Sequence, residues 1–128
     1  MNWAGFSHWC GKSSSEEIEH SEKIFKYLAD RQADITVAEL PAPPEFNGED
    51  VKACFEAALA LEVENTAKIA RLTRLALDLN DFMTVDFLDW FNLEQYASET
   101  EIVQIISDLT HGNCDAAMII IDRELVSK

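Results

Sequence analysis

Glu17 and His20 stand three residues apart in Glu17-Ile18-Glu19-His20, an E-x-x-H unit. On a helix, that spacing puts both side chains on one face. The same face carries Phe6 and Cys10 before the pair and Ile24 and Tyr27 after it, so the pair is expected to point inward. An unpaired charge in such a seam costs several kcal/mol, roughly, unless it meets a partner or a metal. Two further helices show the same interruption. One has Glu62 and Asn65 in the centre of an otherwise apolar stripe, and the other has Gln95 and Ser98. Any one of these taken alone is an ordinary hydrogen-bonded core residue. Together, carboxylates with one imidazole inside a helical bundle suit hard or borderline divalent metals, iron above all. No thiolate stands at this level, which argues against a sulfur-ligated site. Glu16, Glu19 and Glu22 lie three apart beside the inward pair. By themselves they read as a solvated acidic ridge.

The elements that must position these residues are helices. The first is expected over residues 2–32. Ser13-x-x-Glu16 matches a capping box that could begin a helix at Ser13. Phe6, Trp9 and Cys10 nevertheless keep helical spacing with the residues after them, which favours one continuous helix. Residues 33–48 contain the run PAPP, which regular helix does not accommodate. A connection of this length lets the chain travel the length of a bundle, so the next helix is expected to run roughly parallel to the first. The second helix is expected over residues 49–79, with Asn47 as N-cap. Its inward stripe is Val51, Phe55, Ala58, Glu62, Asn65, Ile69, Leu72, Ala76 and Leu79. Asn80-Asp81 is a short turn, of the kind that joins antiparallel neighbours. The third helix is expected over residues 82–109. Its stripe is Thr84, Leu88, Phe91, Gln95, Ser98, Ile102, Ile105 and Leu109, and a left-handed cap at Gly112 ends it. A short fourth helix is expected over residues 115–125. The fold class is all-α, in one domain spanning residues 1–128.

Bulk composition agrees with this reading. The chain has 128 residues, 48% of them hydrophobic, with only 4 Gly and 3 Pro. Those values fit a single core built from long regular elements. The net charge of -14 argues against nucleic-acid and anionic-membrane partners, which would repel the chain, and suits one that attracts cations. Cys10, Cys54 and Cys114 form no C-x-x-C. They are expected to be small buried apolar residues in a reducing compartment. Neither a membrane span nor a secretory leader is evident, so the cytoplasm is the expected location.

Four stretches, EEIEHSEKIFKYL, LEVENTAKIARL, FLDWFNLEQY and IIIDREL, together resemble the non-haem ferritin family, in order and spacing over nearly the whole chain. The ending is closer to bacterial-type ferritins than to animal ones. The resemblance implies a ferritin-like helical bundle, up-down with a long crossover loop. It implies a ferroxidase that binds two ferrous ions, oxidises them with oxygen or peroxide, and stores the ferric product as mineral inside a cage of self-associated subunits. By motif position, Glu17 would bridge the two irons, His20 would bind the first and Glu62 the second. Gln95 would be the catalytic residue that orients a water or the oxidant, and Glu94 would assist a nearby or third iron. Glu16, Glu19 and Glu22 would guide ions or nucleate mineral.

The chain also departs from the family pattern. Members begin with a further long helix that gives a glutamate to the first iron. This sequence starts at what resembles their second helix, so it is expected to be N-terminally truncated, with the first iron site one ligand short. Where bacterial relatives often place a glutamate three residues after the glutamine, this chain has Ser98. The alternative reading is a non-catalytic assembly or regulatory subunit with an incomplete diiron site. A third is a small helical interaction domain without metal.

Overall fold

The structure is a computed structural model that describes residues 3–40, 42, 50–112 and 114–127. Four helices follow in order: α1 (Ala4–Asp30), α2 (Val51–Asp78), α3 (Phe82–His111) and α4 (Asp115–Leu125). They fall into two compact units. One comprises Met1–Asn47 with Ile119–Lys128, and the other comprises Gly48–Met118.

In the first unit, α1 runs unbroken through the glycine and three serines. No helix starts at the Ser13 capping box. Ser15 Oγ instead donates to the Gly11 carbonyl at 3.1 Å, the back-bonding that lets a hydroxyl sit inside a helix. The N-terminus of α1 has no local cap, because Trp3 in the capping position makes no side-chain bond to it. The cap comes from α4. Asp122 Oδ1 accepts from the Phe6 N–H at 3.0 Å, across 116 residues of sequence. That N–H is one of the first-turn donors a helix cannot satisfy internally, and a carboxylate there also meets the positive end of the helix dipole. Asp122 and Leu125 are buried beside this contact, as is Phe6, whose ring meets Trp3 edge-on at 5.7 Å. Gly5 permits the approach: a Cβ there would lie 1.6 Å from the Asp122 carbonyl oxygen.

Both α1 and α2 end without glycine. Gln32 and Asn80 adopt positive φ, 55° and 56°. The Ala33 N–H then reaches the Leu28 carbonyl at 3.0 Å, and the Asp81 N–H reaches that of Ala76 at 2.9 Å. These are the six-to-one bonds of a Schellman ending. Asparagine tolerates the left-handed region better than most side chains, which suits it to the tight turn after α2. Asp81 then caps the next helix, accepting from Thr84 N at 3.2 Å and from Thr84 Oγ1 at 2.7 Å. One aspartate thus closes α2 and opens α3, which makes a helical hairpin.

The second unit is built on that hairpin. On α3 the buried residues are Leu88, Phe91, Gln95, Ile102, Ile105 and Leu109, all members of the predicted stripe, with Thr84 and Ser98 half-buried. Phe91 is held edge-on by Phe87 at 5.3 Å and by Trp90 at 4.8 Å. On α2, Phe55 and Ala76 are buried, whereas Leu72 and Leu79 are exposed. The seam against α3 covers a narrower arc than a stripe drawn from periodicity alone.

Several expectations are corrected. Asp50 caps α2, accepting from Lys52 N at 2.9 Å; the expected cap, Asn47, lies outside the described residues, as does most of the PAPP run. Gly112 ends α3 with φ of -93° and so does not use the left-handed region. Cys10 and Cys114 are exposed and Cys54 is half-buried, so small size did not draw them inside. Although Cys10 lies at the surface, partial burial pushes its thiol pKa up, against a smaller downward effect of a backbone hydrogen bond. Among the described residues, no helix is long and apolar enough to cross a membrane.

The α1–α4 contact is open to test by thermal unfolding. Asp122→Ala should lower stability by about 1 kcal/mol, as lost N-caps do. Gly5→Ala forces backbone apart and should cost about 1–3 kcal/mol. A Gly5→Ala protein with an unchanged melting midpoint would disprove the close approach.

Candidate metal centre

The α3 periodicity carries Gln95 into the core, where it is 5% exposed. A buried carboxamide must find partners for two N–H groups, and α2 supplies them. Gln95 Nε2 donates to Glu62 Oε2 at 2.9 Å, to the Glu62 carbonyl at 3.1 Å and to Thr66 Oγ1 at 3.2 Å. All three partners are acceptors here, which assigns the nitrogen end of the amide to this side. Thr66 Oγ1 in turn donates to Glu99 Oε1 on α3. Among the described residues, no buried side-chain nitrogen or oxygen lacks a partner. Glu62 is half-buried, with Oε2 held by Gln95 and Oε1 outside that bond. The result is a carboxylate oriented within an apolar seam, an oxygen ligand suited to a hard cation.

The second donor pair lies on α1. Glu17 Oε1 approaches His20 Nδ1 at 3.4 Å, so the predicted spacing does bring the two side chains together. It does not bury them equally. The His20 side chain is 15% exposed and that of Glu17 is 53% exposed. The expectation that Glu17 points into a buried seam is therefore corrected, and with it the inward placement of Cys10 and Ile24, which are also exposed. Burial on α1 is confined to Gly5 and Phe6, beside α4. Glu16, Glu19 and Glu22 are exposed as well, and Glu16 pairs with Lys12 at 3.7 Å. Glu94, next to Gln95, is half-buried. Among the described residues, no three His, Cys, Asp or Glu side chains converge as a group that could hold a metal ion.

Sequence reasoning missed Thr66 and Glu99. A signal for them was present, because each lies four residues after a recognised site residue, Glu62 and Gln95. That step keeps a side chain on the same helix face.

Helices joined in this order, with a carboxylate–carboxamide pair set in an apolar seam, define an all-α, ferritin-like helical bundle. Residues 1–111 match the ferritin-like domain family, and the chain belongs to the ferritin family. It is 29% identical to the bacterial non-heme ferritin of Staphylococcus aureus strain USA300 over 125 residues, spanning 97% of this chain and 75% of that protein. It is 30% identical to the counterpart from Staphylococcus saprophyticus over 129 residues, covering 99% and 76%. Among solved structures it is similar to the open pore ferritin of the archaeon Archaeoglobus fulgidus. The TM-score is 0.90 at 30% identity, covering 97% of this chain and 76% of that one. A humanized archaeal ferritin gives a TM-score of 0.89 at the same identity. Ferritins bind and store iron, and iron storage is the function that follows for this chain.

Gln95→Leu keeps an apolar side chain in the seam but strips Glu62 Oε2 and Thr66 of their donor. It should cost about 1–3 kcal/mol, as for buried polar groups left unpartnered. Urea unfolding of the variant against the parent chain measures this, and an unchanged midpoint would count against the network.

Proposed function

We propose that the chain is a ferritin subunit that takes up ferrous iron as its substrate, oxidises it, and delivers ferric product to a mineral. The observation that carries this reading is the buried Gln95 amide fastened to Glu62 in the middle of an apolar seam. A bundle needing only stability would be served by apolar residues there. Glu62 supplies an oxygen ligand for one ferrous ion. His20 and Glu17, whose side chains reach the same point on α1, supply an imidazole and a bridging carboxylate. Gln95 holds Glu62 in place and orients a water or the oxidant. Each ferrous ion gives up one electron, and dioxygen or peroxide takes two from the pair. Glu94 assists a further iron, and Glu16, Glu19 and Glu22, exposed on α1, draw cations or nucleate mineral.

The rest of the reading follows from charge and exposed surface. A net charge of -14 attracts cations and repels nucleic acid and anionic membranes. Ile18 and Phe25 in the first unit, and Leu61, Leu93 and Tyr96 in the second, are large apolar side chains left exposed, as suits association of copies into a cage. Free cysteines suit the reducing cytoplasm.

Oxygen-dependent oxidation of ferrous iron, followed by absorbance of the ferric product, is the test. The parent chain should outpace iron in buffer, and Glu62→Ala and His20→Ala should each collapse the rate. A parent rate equal to that of buffer would instead make the chain a non-catalytic assembly subunit.

A further inference from the structure

Thr66 does not behave like Thr73, Thr100 and Thr110, the other threonines that lie beyond the first turn of a helix. Thr73 donates its hydroxyl to the Ile69 carbonyl at 3.0 Å, Thr100 to that of Tyr96 at 2.7 Å and Thr110 to that of Ile106 at 2.7 Å. Each thus bonds back four residues along its own helix, the usual resting place of a helical hydroxyl. For Thr66 that carbonyl belongs to Glu62. The Thr66 hydroxyl instead crosses the seam to the Glu99 carboxylate, and the Glu62 carbonyl accepts from Gln95 Nε2 at 3.1 Å.

From this difference we infer that Glu99, acting through Thr66, is a positioning residue for Gln95 and Glu62. The inference rests on the reading of those two residues as part of the iron site. The reasoning is one of hydrogen counting. A threonine hydroxyl has one hydrogen, and a glutamine amide nitrogen has two. With its hydrogen on Glu99, Thr66 Oγ1 turns lone pairs toward Gln95 Nε2, 3.2 Å away. Both amide hydrogens then lie on the α2 side, and one of them holds Glu62 Oε2 at 2.9 Å. The Gln95 carbonyl oxygen is the end of the amide left to face a water or oxidant. Without the Glu99 acceptor, the Thr66 hydroxyl returns to the Glu62 carbonyl and competes there with Gln95. The hydroxyl lone pairs then no longer face Gln95 Nε2, and the amide shares the Glu62 carbonyl with a second donor, so it is held less firmly on the α2 side. The bond that orients Glu62 is loosened with it.

The test uses the full chain, labelled with nitrogen-15, with cobalt(II) as a redox-inert probe for ferrous iron. The Gln95 side-chain amide signal is identified by its loss in Gln95→Leu. Glu99→Leu and the isosteric Thr66→Val should both move that signal in the metal-free protein. Both should weaken cobalt binding, measured by calorimetry, by about tenfold, the scale for groups that orient a metal ligand. Thr66→Ser should restore both readouts. Thr73→Val, whose hydroxyl bonds only within its own helix, should leave both unchanged. A Gln95 signal indifferent to Glu99→Leu and Thr66→Val would overturn the relay. So would a signal that moves while cobalt affinity holds. If the parent chain binds no cobalt and oxidises no iron, the iron-site reading itself fails and the positioning role falls with it. The amide signal tells that failure apart from failure of the relay.

Discussion

The two N–H groups of one buried carboxamide constrain how α2 and α3 can lie together. Apolar contact holds the hairpin closed, but such contact is non-directional and tolerates small slides along the seam. Gln95 does not tolerate them. Its partners are a carboxylate, a carbonyl and a hydroxyl on successive turns of α2, and displacement by one residue would leave a buried polar group unpaired. The apolar members of the stripe therefore supply most of the stabilisation, and the amide supplies the register. The same bonds leave Glu62 with one oxygen tied and one outside the tie.

The first unit depends on a different device, local in space and remote in sequence. A helix beginning at Ala4 with no side-chain cap of its own is completed by Asp122, and the absence of a side chain at Gly5 lets the two backbones come close enough for it. The turn ends of α1 and α2 use Gln32 and Asn80 in the left-handed region. Hydrogen bonding to the last carbonyls of each helix offsets that conformational cost. Asp81 shows how few residues such a junction needs, since it completes one helix and caps the next.

Under the proposed function, charge and structure would address one substrate at different ranges. A strongly acidic chain raises the local concentration of cations over its whole surface, which is unselective. In the proposed function, selectivity would belong to the ligand types, carboxylate oxygen with a single imidazole. Burial differs between the two donor pairs. Glu62 sits half-buried in a seam with its geometry constrained by hydrogen bonds, whereas Glu17 stands exposed against a better covered His20.

Much of this protein was legible in its sequence. Four helices, the hairpin turn at Asn80-Asp81 and the α3 stripe from Leu88 to Leu109 follow from periodicity and turn chemistry, which act between near neighbours. The polar interruptions at Glu62 and Gln95 were visible for the same reason, and the two do meet. The motifs around Glu17, Glu62 and Gln95 were enough to indicate the family. Tertiary structure alone decided the rest. Periodicity says which face a residue is on, but not whether another element covers that face, so Glu17, Cys10 and Leu72 were expected inside and lie outside. Nor does it name partners. The bond from Thr66 to Glu99 and the cap from Asp122 to Phe6 join residues remote in sequence, and Gly5 reads as an ordinary weak helix former until the α4 backbone is seen against it. Such contacts are set by where helices pack, and local sequence carries no record of that.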